Sequence, residues 1–244
     1  MTPDPIYLLM LLLVSVANGD EAAAARAGGA DIIDAKNPFA GPLGAVAPAV
    51  LRQIGAVVGR AHPLTAALGD AADEDDVERL AREAAGVGVT FVKLGFAGIT
   101  ASRRIATLLA AARRGAAAGS HGGCGVVAVA YADGDQVAGP GPDRLVDAAS
   151  AAGVAGVLLD TANKDGPPLR TLLSQVAIAA WISRAHEGGL TAAVAGRLQI
   201  ADLTFVRDAG ADIAGVRGAA CEGGRTGRVA ADKVEALRRM CYCP

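Results

Sequence analysis

Gly29-Ala-Asp-Ile-Ile-Asp-Ala-Lys36 recurs in outline three more times, as Gly86-Val-Gly-Val-Thr-Phe-Val-Lys93, Gly153-Val-Ala-Gly-Val-Leu-Leu-Asp160 and Gly210-Ala-Asp-Ile-Ala-Gly-Val-Arg217. Each copy opens on a glycine after an alanine-containing helix end or turn, runs through a short apolar segment, and sets a charge seven residues beyond the glycine. A glycine there is what a helix C-cap requires. An apolar run of this length, bounded by turn residues, suits a strand buried on both faces, as in a parallel sheet.

Around these copies the same alternation gives strands at residues 8 to 15, 30 to 36, 64 to 69, 87 to 94, 124 to 131, 154 to 160, 190 to 195 and 211 to 217. Ala/Arg-rich helices begin near Asp20, Ala47, Asp73, Ala101, Asp143, Leu169, Ile200 and Ala230. Eight strands, each followed by a helix, predict an α/β chain closed into a (β/α)8 TIM barrel, and 244 residues is close to the usual size of about 250. No Pro/Ser linker or shift of composition divides the sequence, so residues 1–244 are expected to form one domain.

Composition narrows the partners. With 52% apolar and 3% aromatic residues, 56 Ala and 32 Gly, the interior must be built from small and aliphatic side chains, and disorder is excluded. A net charge of −2 without a basic run gives no reason to expect nucleic acid or an anionic membrane surface. The apolar run Ile6 to Val16 has Asp4 before it rather than a basic segment and is too short to span a bilayer, so it reads as the first strand. Cys124, Cys221, Cys241 and Cys243 lack paired zinc-ligand spacing and read as reduced thiols of a cytoplasmic protein, with Cys241-Tyr242-Cys243 a frayed end rather than a metal site. His62, His121 and His186 have no metal spacing and read as surface residues. No Gly-x-Ser-x-Gly elbow exists, and no Gly-x-Gly-x-x-Gly follows the first strand; no metal or organic cofactor is expected. Asp73-Glu-Asp-Asp76 reads as the acidic first turn of a helix.

The informative number lies within the basic residues, which divide into 19 Arg and only four Lys: Lys36, Lys93, Lys164 and Lys233. Alternate strands of such a barrel supply one interior layer, so Lys36, Lys93, Asp160 and Arg217, on strands two, four, six and eight, are expected to converge at the carboxyl-terminal mouth. Asp34, two residues before Lys36, shares its face. Charges that merely cap buried strands are the plainer account of any one of these positions, but less so of four at one offset. Arginine stays protonated, whereas a lysine beside another cation in a buried site can lose its proton and attack a carbonyl. Lys36 and Lys93 fit that relation; Asp34 and Asp160 would orient the amines and pass protons. Lys164, in Asp160-Thr-Ala-Asn-Lys164-Asp165-Gly166, either reaches in from its loop or stands exposed.

The loops after strands seven and eight, Ala195-Gly196-Arg197 and Arg217-Gly218-Ala219-Ala220-Cys221-Glu222-Gly223-Gly224-Arg225-Thr226-Gly227-Arg228, either serve as turns or offer unobstructed amides to a phosphate. Arg217, Gly196 and Gly218 are the candidate phosphate-binding residues.

Leu12-Leu-Val-Ser15, Gly29-Ala-Asp-Ile-Ile-Asp-Ala-Lys-Asn-Pro38, Gly41-x-Leu-Gly44, Phe91-Val-Lys-Leu-Gly95, Leu159-Asp-Thr-Ala-x-Lys-Asp-Gly166 and Gly215-Val-Arg-Gly-Ala219 together resemble the (5-formylfuran-3-yl)methyl phosphate synthases, also called 4-(hydroxymethyl)-2-furancarboxaldehyde-phosphate synthases. The resemblance covers nearly the whole chain. It implies a (β/α)8 barrel that condenses two glyceraldehyde 3-phosphate molecules into a furan aldehyde phosphate on the way to methanofuran-type cofactors, losing one phosphate and two waters. By motif it makes Lys36 the Schiff-base lysine and Lys93 the proton acceptor, with Lys164, Asp34 and Asp160 assisting. Where family members tend to carry a Pro/Gly-containing turn after Leu68-Gly69-Asp70, this chain has Ala71-Ala-Asp-Glu-Asp-Asp76 leading straight into a helix, which puts that loop's part in substrate binding in question.

The residues also fit a Schiff-base aldolase acting on another phosphorylated carbonyl compound, or a non-catalytic sugar-phosphate-binding barrel; phosphate binding alone, however, is served by Arg. The expected partner is a small-molecule triose phosphate, and Ala-rich helices suit a homo-oligomer.

Overall fold

The computed structural model describes residues 9–120 and 123–242. Eight parallel strands, β1 (Leu11–Val16), β2 (Ile32–Ala35), β3 (Leu64–Asp70), β4 (Phe91–Gly95), β5 (Gly125–Tyr131), β6 (Gly156–Asp160), β7 (Thr191–Val194) and β8 (Ile213–Val216), close into a barrel in sequence order. The closing seam pairs Leu13 of β1 with Gly215 of β8. Helices α1 (Gly19–Ala27), α2 (Pro48–Val58), α3 (Glu74–Val87), α4 (Ser102–Ser120), α5 (Pro142–Ala152), α6 (Leu169–Leu172), α7 (Gln175–Glu187), α8 (Leu203–Asp208) and α9 (Ala231–Tyr242) follow the strands, with both α6 and α7 after β6. This is the (β/α)8 barrel expected from the repeat.

Local chemistry explains most boundaries. Asn18 caps α1 by accepting from the Glu21 amide at 2.9 Å, and Asp73 caps α3 by accepting from the Asp76 amide at 2.9 Å. Four expectations need correction. Cys241-Tyr242 is not frayed: both residues lie in α9, Cys241 is buried in the core and Tyr242 Oη donates to Asp31 Oδ1 at 2.6 Å. Gly86 is not a cap: α3 runs through it to Val87, and Gly88, at φ +96°, ends the helix, so β4 begins at Phe91 rather than near residue 87. The helix expected from Leu169 is one turn, α6, after which Ser174 caps the longer α7 by accepting from the Ala177 amide at 3.2 Å. The glycine-rich segment after β8 contains a small antiparallel pair, β9 (Cys221–Glu222) and β10 (Arg228–Val229), with Gly227 placed where any Cβ would strike the Glu222 carbonyl. The start of the apolar run (Ile6 to Leu8), His121 and Cys243 lie outside the described residues.

The main core lies between barrel and helices and is dominated by Ala, Val and Leu. Its tightest seam joins α3 and α4, where a Cβ on Gly115 or Gly119 would strike the backbone carbonyl of Glu78 or Arg82. Arginines decorate the outside of this seam: Arg114 meets Glu78 at 2.9 Å, and Arg104 pairs with Glu74. Inside the barrel a smaller cluster gathers Leu43, Ala67, Val129, Tyr131, Leu158, Ala162 and Ala193. Ala and Gly on so many inward positions leave the barrel incompletely filled above its floor. That vacancy is the site.

Candidate active site

A cavity of about 480 Å³ opens at the carboxyl-terminal mouth and reaches down between the strands to Leu13, Phe91, Val127 and Ile213. The size is that of a small-molecule pocket. Lys36, Lys93, Asp160 and Lys164 line it, while Asp34 lies wholly buried behind them.

Two ion pairs organise the charges. Lys93 Nζ stands 2.6 Å from Asp34 Oδ2, and Lys164 Nζ stands 2.6 Å from Asp160 Oδ1. Lys36 Nζ lies 3.9 Å from Asp160 Oδ2, within Coulombic range but beyond a hydrogen bond. Because β4 continues past Lys93 through Leu94 and Gly95, whereas β2 ends one residue before Lys36, Lys93 sits deeper and meets Asp34 rather than the Lys36 layer. The common seven-residue offset thus misplaces Lys93 along its strand by counting from Gly86, although its side chain enters the same cavity.

Asp34 also accepts from Ser15 Oγ at 2.8 Å and Thr65 Oγ1 at 2.7 Å. Burial by itself would raise its carboxyl pKa, but the charges of Lys93 and Lys36 and the bonds from Lys93 and Thr65 hold it below the usual carboxylate range. Asp160 is likewise lowered: burial opposes ionisation, and Lys164, Lys36 and the Thr161 amide outweigh it. Both acids are therefore fixed anions at neutral pH. Lys36 shows the opposite balance. Burial leads, Asp160 and Asp34 resist, Lys164 and Lys93 add repulsion, and its ammonium is brought down to about 7. Near neutrality a large share of Lys36 is the free amine, the form that attacks carbonyls.

Arg217 behaves differently from expectation. It lines the cavity, yet its guanidinium donates to Glu21 Oε2 at 2.8 Å and Oε1 at 3.3 Å, and to the carbonyls of Ser15 at 3.0 Å, Arg225 at 2.7 Å and Gly227 at 3.2 Å. All five N–H groups are committed, so Arg217 has no donor left for a phosphate. Its part is to bind the loop after β8 to α1 and β1. Gly196, at φ +101°, and Gly218, opening a 3₁₀ turn, both border the cavity.

Residues not singled out from sequence also belong here. Arg225 lines the rim and donates to the carbonyls of Pro38 and, at 2.9 Å, Gly41, strapping the loop after β8 to the loop after β2. Arg197 holds φ +62° at the cavity edge, a conformation unfavourable for a side chain with a Cβ. The left-handed turn at Gly196-Arg197 has no signal beyond its one glycine, and the Arg225 contacts join segments 187 and 184 residues apart. Asp70, just before the divergent stretch at residues 71–76, accepts from Tyr131 Oη at 2.9 Å and from the Ala97 amide at 3.1 Å. Among the described residues no group of His, Cys, Asp and Glu is arranged to hold a metal ion, and no helix is long and apolar enough to cross a membrane.

The family model described as 4-HFC-P synthase matches residues 12–238. The (5-formylfuran-3-yl)methyl phosphate synthase of Methanopyrus kandleri is 40% identical over 218 residues, 89% of this chain and 92% of that protein. The synthase of the same name from Methanosarcina mazei is 36% identical over 233 residues, 95% and 99% of the two chains. Among solved structures, KGPDC from Streptococcus mutans in complex with D-R5P superposes with a TM-score of 0.68 at 14% identity, covering 96% of this chain and 97% of its own, which is a likeness of fold. A match across nearly the whole chain, with relatives this similar over 92% and 99% of their lengths, means that the chain belongs to the family of (5-formylfuran-3-yl)methyl phosphate synthases.

Proposed function

We propose that this chain condenses two molecules of glyceraldehyde 3-phosphate into (5-formylfuran-3-yl)methyl phosphate through an imine on Lys36, as a step of methanofuran-type cofactor biosynthesis. The observation that carries the reading is the Lys36 amine, brought down to about 7 on the wall of a cavity it shares with two other lysines and the Asp160 carboxylate, with the Asp34 carboxylate buried behind them. In this scheme the Lys36 nitrogen adds to the carbonyl carbon of one triose phosphate, and water leaves to give the imine. Removal of a proton from the adjacent carbon yields an enamine, whose carbon forms the new bond to the second aldehyde. Elimination of one phosphate, loss of two further waters and hydrolysis of the imine, which returns the first water and frees the Lys36 amine, complete the aromatic ring, so two triose phosphates give one furan phosphate, one phosphate and two waters. Lys93 accepts a proton from carbon and Asp34 holds it in place, while Lys164 and Asp160 deliver and remove protons at the oxygens. The loops carrying Gly196 and Gly218 hold a phosphoryl group on their amides. A cytoplasmic, homo-oligomeric enzyme is the accompanying expectation.

Borohydride reduction in the presence of glyceraldehyde 3-phosphate, with peptide mass mapping, tests this. A reduced adduct on Lys36 together with an ultraviolet-absorbing furan product supports it. An adduct without furan points instead to an aldolase, and a chain that forms no adduct with any triose phosphate has no lysine mechanism.

A further inference from the structure

We propose that Asp133 is a positioning residue: its carboxylate, in the loop after β5, holds the turn from Thr161 to Gly166 so that the Lys164 amine stays seated on Asp160, opposite Lys36. The proposal rests on the reading of Lys36 as the reacting amine and adds a residue that shapes its surroundings.

Lys164 lies four residues after Asp160, but no helix spans the two, so the pairing that a helix makes at this spacing must be imposed by something else. The amides of the turn show what imposes it. Thr161 N–H donates to Asp160 Oδ1 at 2.8 Å. Those of Ala162 and Asn163 donate to the two oxygens of Asp133 at 2.6 and 2.9 Å, and those of Asp165 and Gly166 to Asn163 Oδ1 at 3.0 and 3.1 Å. Asp133 is itself buried, and the neighbouring Ala132 amide is anchored on the Asp160 carbonyl at 2.8 Å. Amide bonds to an ionised carboxylate are among the stronger hydrogen bonds, and here two are made side by side. The clamp thus fixes the backbone on both sides of the residue that carries the Lys164 amine.

The consequence falls on Lys36. Facing its amine are Asp160 from β6, Lys164 from the clamped turn, Lys93 from β4 and Asp34 from β2. Releasing the turn withdraws one positive neighbour and leaves Asp160 to Lys36 alone. Both changes favour the ammonium at Lys36 and deplete the free amine at neutral pH.

Competitive labelling of amines with isotopic acetic anhydride, read peptide by peptide across neutral and alkaline pH, measures the Lys36 titration without requiring turnover. In Asp133→Asn, one amide N–H faces an NH2 group instead of an oxygen. The Lys36 midpoint is expected to rise by about one pH unit, to coincide with that of Lys164→Met, and to move no further in the double variant. A structural role alone would lower the melting temperature and leave the midpoint in place; a folded Asp133→Asn chain with an unmoved midpoint overturns the proposal. Should that variant not fold, hydrogen exchange in the unaltered protein decides: slow exchange at the Ala162 and Asn163 amides supports the clamp, and rapid exchange at both refutes it. Failure of the imine reading would show separately, as absence of a borohydride adduct on Lys36 in the unaltered chain.

Discussion

Of the three lysines at the mouth, Lys93 and Lys164 each sit at hydrogen-bond distance from a carboxylate, 2.6 Å in both cases, while Lys36 stands 3.9 Å from its nearest one. That difference in partnership divides three chemically identical side chains into two seated on carboxylates and one that stands apart. Lys36→Arg keeps the charge but not the nucleophile, so kcat is expected to fall by at least about a thousandfold with the fold intact, whereas Lys233→Arg, on the exposed face of α9, should match the parent in the same furan-formation assay. The rate should climb as pH rises through about 7, where Lys36 deprotonates. Stability follows the same group. Its folded pKa of about 7 lies below the ordinary 10.5, so between these values the unfolded chain binds more protons and stability increases with pH. Lys36→Met should abolish that component and, by urea denaturation at pH 7, be more stable than the parent by roughly 1–3 kcal/mol. The lysines were legible in the sequence because Arg had taken every other basic position but one. Asp133 and Thr65 were not, since their roles arise from hydrogen bonds across 29 to 31 residues and their residue types are unremarkable in a loop or strand.

At the scale of elements, the alanine and glycine content acquires a purpose on both faces of the sheet. Inside, small residues leave room for the cavity; outside, they let α3 and α4 approach until Gly115 lies against the Glu78 carbonyl. Gly115→Ala is expected to cost about 1–3 kcal/mol through forced separation of these helices, measurable as a lower urea midpoint, with KM unchanged because the seam is remote from the mouth. The barrel's order and most helix starts could be read from periodicity and turn residues. The pattern and the structure part where two glycines compete, as with Gly86 and Gly88, or where a lone serine restarts a helix, as Ser174 does for α7. In both places neighbouring choices were locally equivalent, and packing of the surrounding layers decided between them.

For the whole molecule, two arginines tie the loop after β8 to other parts of the mouth. Arg217 joins the last loop to α1 and β1, and Arg225 joins the same loop to the one after β2. Arg225→Ala frees that strap while leaving the lysines untouched, so KM for triose phosphate should rise about tenfold with a smaller change in kcat; an unchanged KM in steady-state assays would show that the strap is dispensable. Glu21, paired with Arg217 in a buried bridge, offers the complementary measurement: Glu21→Ala is expected to destabilise the fold by about 3–5 kcal/mol, because the guanidinium loses its counter-charge inside the protein.

The seam between the first and last barrel strands carries a cost during synthesis. Ser15 and Arg217, bonded across it, are 202 residues apart, and β1 has no second neighbour until β8 has been made. Throughout most of translation the nascent chain therefore presents the bare backbone edge of an almost wholly apolar strand, the kind of surface that captures other chains. A ribosome that pauses late, with β7 out and β8 still in the tunnel, would hold this protein at its most aggregation-prone point, with the lysines already made and no closed barrel to aim them.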